Sequence, residues 1–131
     1  MRYYLSHAIR GSAGPEASHN TQAKNGAAAI KIADQLRALF PPLDLYVPAE
    51  NETFVQIAYD TGHLSEKQIL DIDCRIIDGC DGVIIYVPEG KIQGGRLVEF
   101  HHAVATNKPV MIFKVLVEAV AWLNSPRNSA C

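Results

Sequence analysis

The chain has 131 residues, 48% hydrophobic and 20% charged, with a formal net charge of −2. That length suits one domain with a modest core, and the near-neutral charge removes the electrostatic basis for binding a nucleic-acid polymer or an anionic membrane surface. No apolar run approaches the roughly 20 residues of a membrane span, and the start, Met1-Arg2-Tyr3-Tyr4-Leu5-Ser6-His7, lacks a secretory h-region.

In chain order, Arg2–Ala8 predicts a first strand, and Ile9 to about His19 a Gly/Ser/Pro-rich loop. Asn20 or Thr21 is placed to cap a long helix through Phe40, with Ala28, Ile32, Leu36 and Leu39 at helical spacing. Pro41-Pro42 ends it. Leu43–Val47 reads as a second strand, closed by Pro48. The polar stretch Ala49–His63 follows, with a helical turn over Thr53–Tyr59, and is expected to shape one wall of a pocket. Ser65 with Gln68 forms a capping-box pattern, which predicts a helix from Glu66 to about Gly79. Cys80-Asp81 turns into a third strand, Val83–Val87. The loop Pro88–Gly95 leads into an apolar helix ending near Thr106, Asn107-Lys108-Pro109 turns into a fourth strand, Val110–Phe113, and a last helix runs from about Val115 to Leu123. Strands alternating with helices predict an α/β fold: a small parallel sheet of about four to five strands flanked by helices, flavodoxin-like or Rossmann-like. No linker or repeat divides the chain, so residues 1–131 are read as a single domain. The three cysteines, Cys74, Cys80 and Cys131, form no CxxC pair, so reduced thiols and a cytoplasmic location are expected.

Three polar segments follow strand carboxyl ends: Ile9-Arg10-Gly11, Glu50-Asn51-Glu52 and Gln93–Glu99. In a parallel sheet they share one edge, where α/β proteins bind ligands. The last is the most informative. Gly94-Gly95 supplies a flexible turn, and Glu99 is expected in the first helical turn, where free N–H groups and the helix dipole favour its ionised form. An anion there suits a nucleophile or an electrostatic stabiliser better than a proton donor. Plainer readings stand beside this one. Glu99 can be a favourable first-turn charge, and Asp73 one acid among Asp71 and Asp78 on a solvated face. Arg10 can be an ordinary loop cation, and Tyr4 a core residue facing away from Tyr3. His101 and His102 read as helix-surface residues, and Cys74 and Cys80 as buried ones. Glu99 and His102 form a Glu-x-x-His pair, but a di-metal helical site needs a second such pair and further carboxylates. The cysteines lack metal-ligand spacing, and neither a dinucleotide fingerprint nor a P-loop is present. No metal and no organic cofactor is expected.

The segment Tyr4-Leu5-Ser6-His7-Ala8-Ile9-Arg10-Gly11 resembles the first motif of the nucleoside 2-deoxyribosyltransferase-like family, closest to its 2′-deoxynucleoside 5′-phosphate N-hydrolase branch. Asp73 and Asp81, eight residues apart, are similar to the second motif, and Gly95, Glu99, Ala103, Ala105 and Lys108-Pro109 to the third. The resemblance implies cleavage of an N-glycosidic bond in a small-molecule nucleoside or nucleoside 5′-monophosphate. Glu99 would attack the anomeric carbon, Asp73 would assist departure of the base, and Tyr4 would position Glu99. Arg10, with backbone N–H groups of Gly11 and Gly94-Gly95, would hold a 5′-phosphate. The chemistry agrees, because an oxocarbenium-like transition state needs a nearby anion. Gln93 stands where the phosphate-preferring branch has a serine, Leu97 where it has a second glycine, and His7 where it has a small residue. His7, Gln93 and Arg96 are therefore read as replacement phosphate ligands or as readers of a different base, with Ile9 beside them in the substrate-binding set. Members of the family are generally dimers or larger, which implies a homodimer. Two alternatives accompany the hydrolase: a deoxyribosyltransferase that passes the sugar to a second base, and a non-catalytic nucleotide-binding sensor on the same fold.

Overall fold

The computed structural model describes residues 1–9 and 18–125. Strands β1 (Arg2–Ser6), β2 (Asp44–Tyr46), β3 (Gly82–Tyr86) and β4 (Val110–Phe113) form one parallel sheet in the order β2-β1-β3-β4. Helices α1 (His19–Leu39), α2 (Glu52–Asp60), α3 (Glu66–Asp78), α4 (Gly95–Ala105) and α5 (Leu116–Leu123) accompany it. This is the small flavodoxin-like α/β arrangement expected. The strand order reverses between β1 and β3, and ligand crevices in such sheets open beyond the carboxyl ends at that reversal. Among the described residues no helix is long and apolar enough to cross a membrane.

The alternation of β1 divides the core. Tyr3 and Leu5 join Ile84 and Phe113 beneath Ile32, Ala33 and Leu36 of α1 and Ala119 of α5. Tyr4 falls on the other face with Val83 and Ile85, beneath Ile77 of α3 and Ala103 of α4. The apolar residues of α5 cover the sheet: Leu116, Val120, Trp122 and Leu123 pack on the first cluster, and Trp122 meets Tyr3 edge-on at 5.7 Å.

Several elements differ from expectation. β1 ends at Ser6 rather than Ala8. α1 is capped by Ser18, whose side chain accepts from the Thr21 N–H at 3.0 Å. Its buried stripe is Ala29, Ile32, Ala33 and Leu36, while Ala28 and Leu39 are exposed. An alanine-rich run offers little contrast by which to choose between adjacent positions. After β2 a 3₁₀ turn, Pro48–Asn51, runs straight into α2, longer than the turn expected there. The capping box of α3 is present, with Ser65 accepting from the Gln68 N–H at 3.1 Å and Gln68 accepting from the Ser65 N–H at 2.8 Å. Gly94 adopts φ +61°, a conformation suited to glycine, so α4 starts only at Gly95.

Candidate active site

The three polar segments contribute to the wall of one cavity of about 230 Å³, through Ile9, Glu52, Gln93, Gly94, Gly95, Arg96 and Glu99. α2 adds Val55, Gln56 and Tyr59, and α3 adds Glu66, Ile69, Leu70 and Asp73. Each helix thus offers a stripe at i, i+3, i+4 and i+7, one helical face.

Glu99 is the fifth residue of α4, in its second turn rather than its first. It is 5% exposed. The Tyr4 hydroxyl donates to its Oε2 at 2.5 Å, and the Ser6 hydroxyl to its Oε1 at 2.6 Å. Tyr4 and Ser6 are fully buried on the same face of β1 and do not line the cavity, so they hold the carboxyl from behind. Burial pushes the Glu99 carboxyl up to about 7, assisted by Asp73 and opposed by the bonds from Ser6 and Tyr4. The dipole support expected for the ionised form is missing here, and burial works against the charge. The dipole fades beyond the first turn, and desolvation of the charged form outweighs it.

Asp73 reaches the same place from α3. Burial raises its carboxyl to about 6, while the neighbouring Glu99 and Tyr4 groups pull it down. Two carboxyls in this relation titrate as a pair and hold one proton between them near neutrality. The solvated-face reading applies instead to Asp71, which accepts from Lys67 at 2.9 Å, and to Asp78, which bonds His102 at 2.7 Å. Tyr4 is raised well above the ordinary phenol value by burial and then by Glu99, so it remains a donor.

No protein-family model, curated protein or solved structure matches this chain.

The remaining site residues divide by what their polar atoms already do. The His7 Nε2 accepts from the Ala49 N–H at 3.1 Å, so the proton sits on Nδ1, which donates to the Ala8 carbonyl at 3.0 Å. Burial holds the ring below its ordinary value. His7 is therefore a neutral tie between the end of β1 and the 3₁₀ turn, with no ring nitrogen left for a phosphate. Arg96 is 2% exposed. Its guanidinium grips Glu89 at 2.5 and 2.8 Å and donates to the Tyr86 carbonyl at 3.0 Å. It clamps the loop between β3 and α4, and its charge is matched by Glu89. Both residues line the cavity; the two ring nitrogens of His7 are already engaged, while the buried Arg96 Nε has no hydrogen-bond partner among the described residues. Gln93, Gly94 and Gly95 do face the cavity, as does Ile9, whose carbonyl accepts from Asn25 at 2.9 Å. Arg10 and Gly11 lie outside the described residues.

Ser6 is the partner of Glu99 that sequence reasoning missed. A signal existed: it stands two residues after Tyr4, so whatever face of β1 receives Tyr4 receives Ser6. Among the described residues no group of three or more His, Cys, Asp or Glu side chains is placed to hold a metal ion. What the site offers is an oriented carboxyl, a second carboxyl coupled to it, and a small cavity whose helix faces mix apolar residues with acids. Such a set can supply a nucleophile and a proton donor to one bond.

Proposed function

We propose that this protein is an N-glycosidase that cleaves the base–sugar bond of a nucleoside or its 5′-monophosphate. The observation that carries the reading is the Glu99–Asp73 pair at the cavity, Glu99 buried and Asp73 half-buried, with the two oxygens of Glu99 held by Tyr4 and Ser6. The motif resemblance around Tyr4, Asp73 and Glu99 supports the same chemistry.

In the productive form the shared proton sits on Asp73. Asp73 donates it to the departing base as the C–N bond breaks, and a Glu99 oxygen bonds to the anomeric carbon. The resulting ester splits one hard displacement into two easier ones. Asp73, now a carboxylate, takes a proton from water whose oxygen attacks the same carbon. Glu99 leaves as a carboxylate, and the pair regains its starting single proton. Tyr4 and Ser6 stabilise the Glu99 anion at both ends of this cycle without touching the sugar.

The test is chromatography of free base after incubation with a panel of nucleosides and 5′-nucleotides. Base release is expected, and Glu99→Gln should lower it by roughly a thousandfold or more, with the far-ultraviolet circular dichroism unchanged. Tight binding without release by the unaltered protein overturns turnover in favour of a sensor. Exchange of sugar onto an added second base, with no release in its absence, identifies a transferase instead.

A further inference from the structure

The N-glycosidase reading leaves the base unnamed, and the stripe of α3 that faces the cavity bears on it. Glu66, Ile69, Leu70 and Asp73 occupy one helical face. Seven residues at 1.5 Å each separate the two acids by about 10 Å along the helix. The Asp73 end adjoins Glu99, so the reacting anomeric carbon stands there. A base attached to that carbon then runs along Ile69 and Leu70, with Val55 and Tyr59 of α2 in the same wall. On that path its far edge would lie toward Glu66, which lines the same cavity.

We propose that Glu66 selects bases carrying an exocyclic amino group on the edge remote from the glycosidic nitrogen. The inference rests on the N-glycosidase reading. A glutamate carboxylate accepts hydrogen bonds and cannot donate. An amino group gives it a charge-assisted bond. A carbonyl at the same position sets lone pairs against a negative charge. A carboxylate has about four acceptor sites, so other hydrogen bonds to Glu66 leave room for this one.

Binding to the Glu99→Gln protein, which prevents turnover, provides the test. Calorimetric dissociation constants are compared within two pairs: 2′-deoxycytidine with 2′-deoxyuridine, and 2′-deoxyadenosine with 2′-deoxyinosine. The partners of each pair differ at that edge by amino against carbonyl. The amino member should bind about tenfold tighter or more, as one charge-assisted hydrogen bond allows. Adding Glu66→Gln should collapse the ratio to within about threefold, because an amide can turn to donate or accept. Equal binding within the pairs, or a preference that survives Glu66→Gln, overturns the inference. Binding of none of the four also overturns it. Whether the N-glycosidase reading falls at the same time is decided separately, by base release from the unaltered protein.

Discussion

Two hydroxyls from one face of β1 hold Glu99, one on each oxygen. Removing either should weaken the anion that the reaction needs. Tyr4→Phe and Ser6→Ala are each expected to lower kcat by about 10- to 100-fold, the range of a hydrogen bond to a charged group. Since both bonds pull the Glu99 carboxyl down, either substitution should also move its titration upward, which carboxyl NMR on labelled protein would read. The Glu99–Asp73 pair predicts a bell-shaped kcat/KM profile. Activity rises as the pair loses its first proton and falls as it loses the second, with a maximum between the values of about 6 and about 7. Stability follows the sign of the Glu99 shift. A carboxyl raised in the fold binds its proton more tightly there than in the unfolded chain. Its contribution is therefore complete below the unfolded value and is lost as pH rises through about 7. Glu99→Gln should accordingly reduce the fall in thermal midpoint between pH 5 and pH 8. At this scale the helix-start argument pointed to Glu99 and the motif resemblance to Asp73 and Tyr4, and the fold brings the three together. The ionisation of Glu99 was not legible, since burial depends on helices distant in sequence. Nor were the partners of His7 and Arg96, whose polar atoms bond to Ala49, Tyr86 and Glu89.

At the scale of elements, Gly94 sets where α4 begins and so which turn carries Glu99. Its φ of +61° with ψ of −136° costs a residue with a Cβ about 1–3 kcal/mol. Gly94→Ala is expected to lower the free energy of unfolding by that amount in urea titrations and to reduce activity by displacing the Glu99 helix start. Gly95 is also constrained: a Cβ there would stand 3.2 Å from the Leu70 side chain, where α3 and α4 approach. β3 and β4 were legible because unbroken apolar runs bounded by turn residues have few other readings. α3 was legible through its capping box. α1 was displaced at its start because Ser18 sits in a stretch rich in turn formers, where Asn20 and Thr21 are equally good caps by type. α2 was underread for a physical reason. None of its residues is buried, so one of its faces looks to the cavity and shows no core pattern.

Across the whole molecule, the carboxyl edge of the sheet gathers residues separated by up to ninety-odd positions, Ser6 and Glu99 being 93 apart. That gathering follows from parallel strand order alone and was predictable once the strands were placed. The charge of the resulting wall was not. Among the described lining residues the acids Glu52, Glu66, Asp73 and Glu99 face one arginine already paired with Glu89. The motif resemblance assigns a 5′-phosphate to Arg10, which lies outside the described residues. Arg10→Ala should raise KM for a nucleoside 5′-monophosphate by about tenfold and leave the nucleoside within about twofold. Equal effects on both, in steady-state assays, would remove the phosphate role. The sheet margins have one more effect. β2 spans three residues, with Pro41-Pro42 before it and Pro48 after it, and β4 spans four, directly after Pro109. Short outer strands bracketed by residues without an N–H give a neighbouring chain little to zip onto, so concentrated solutions should resist fibre-like association through either border.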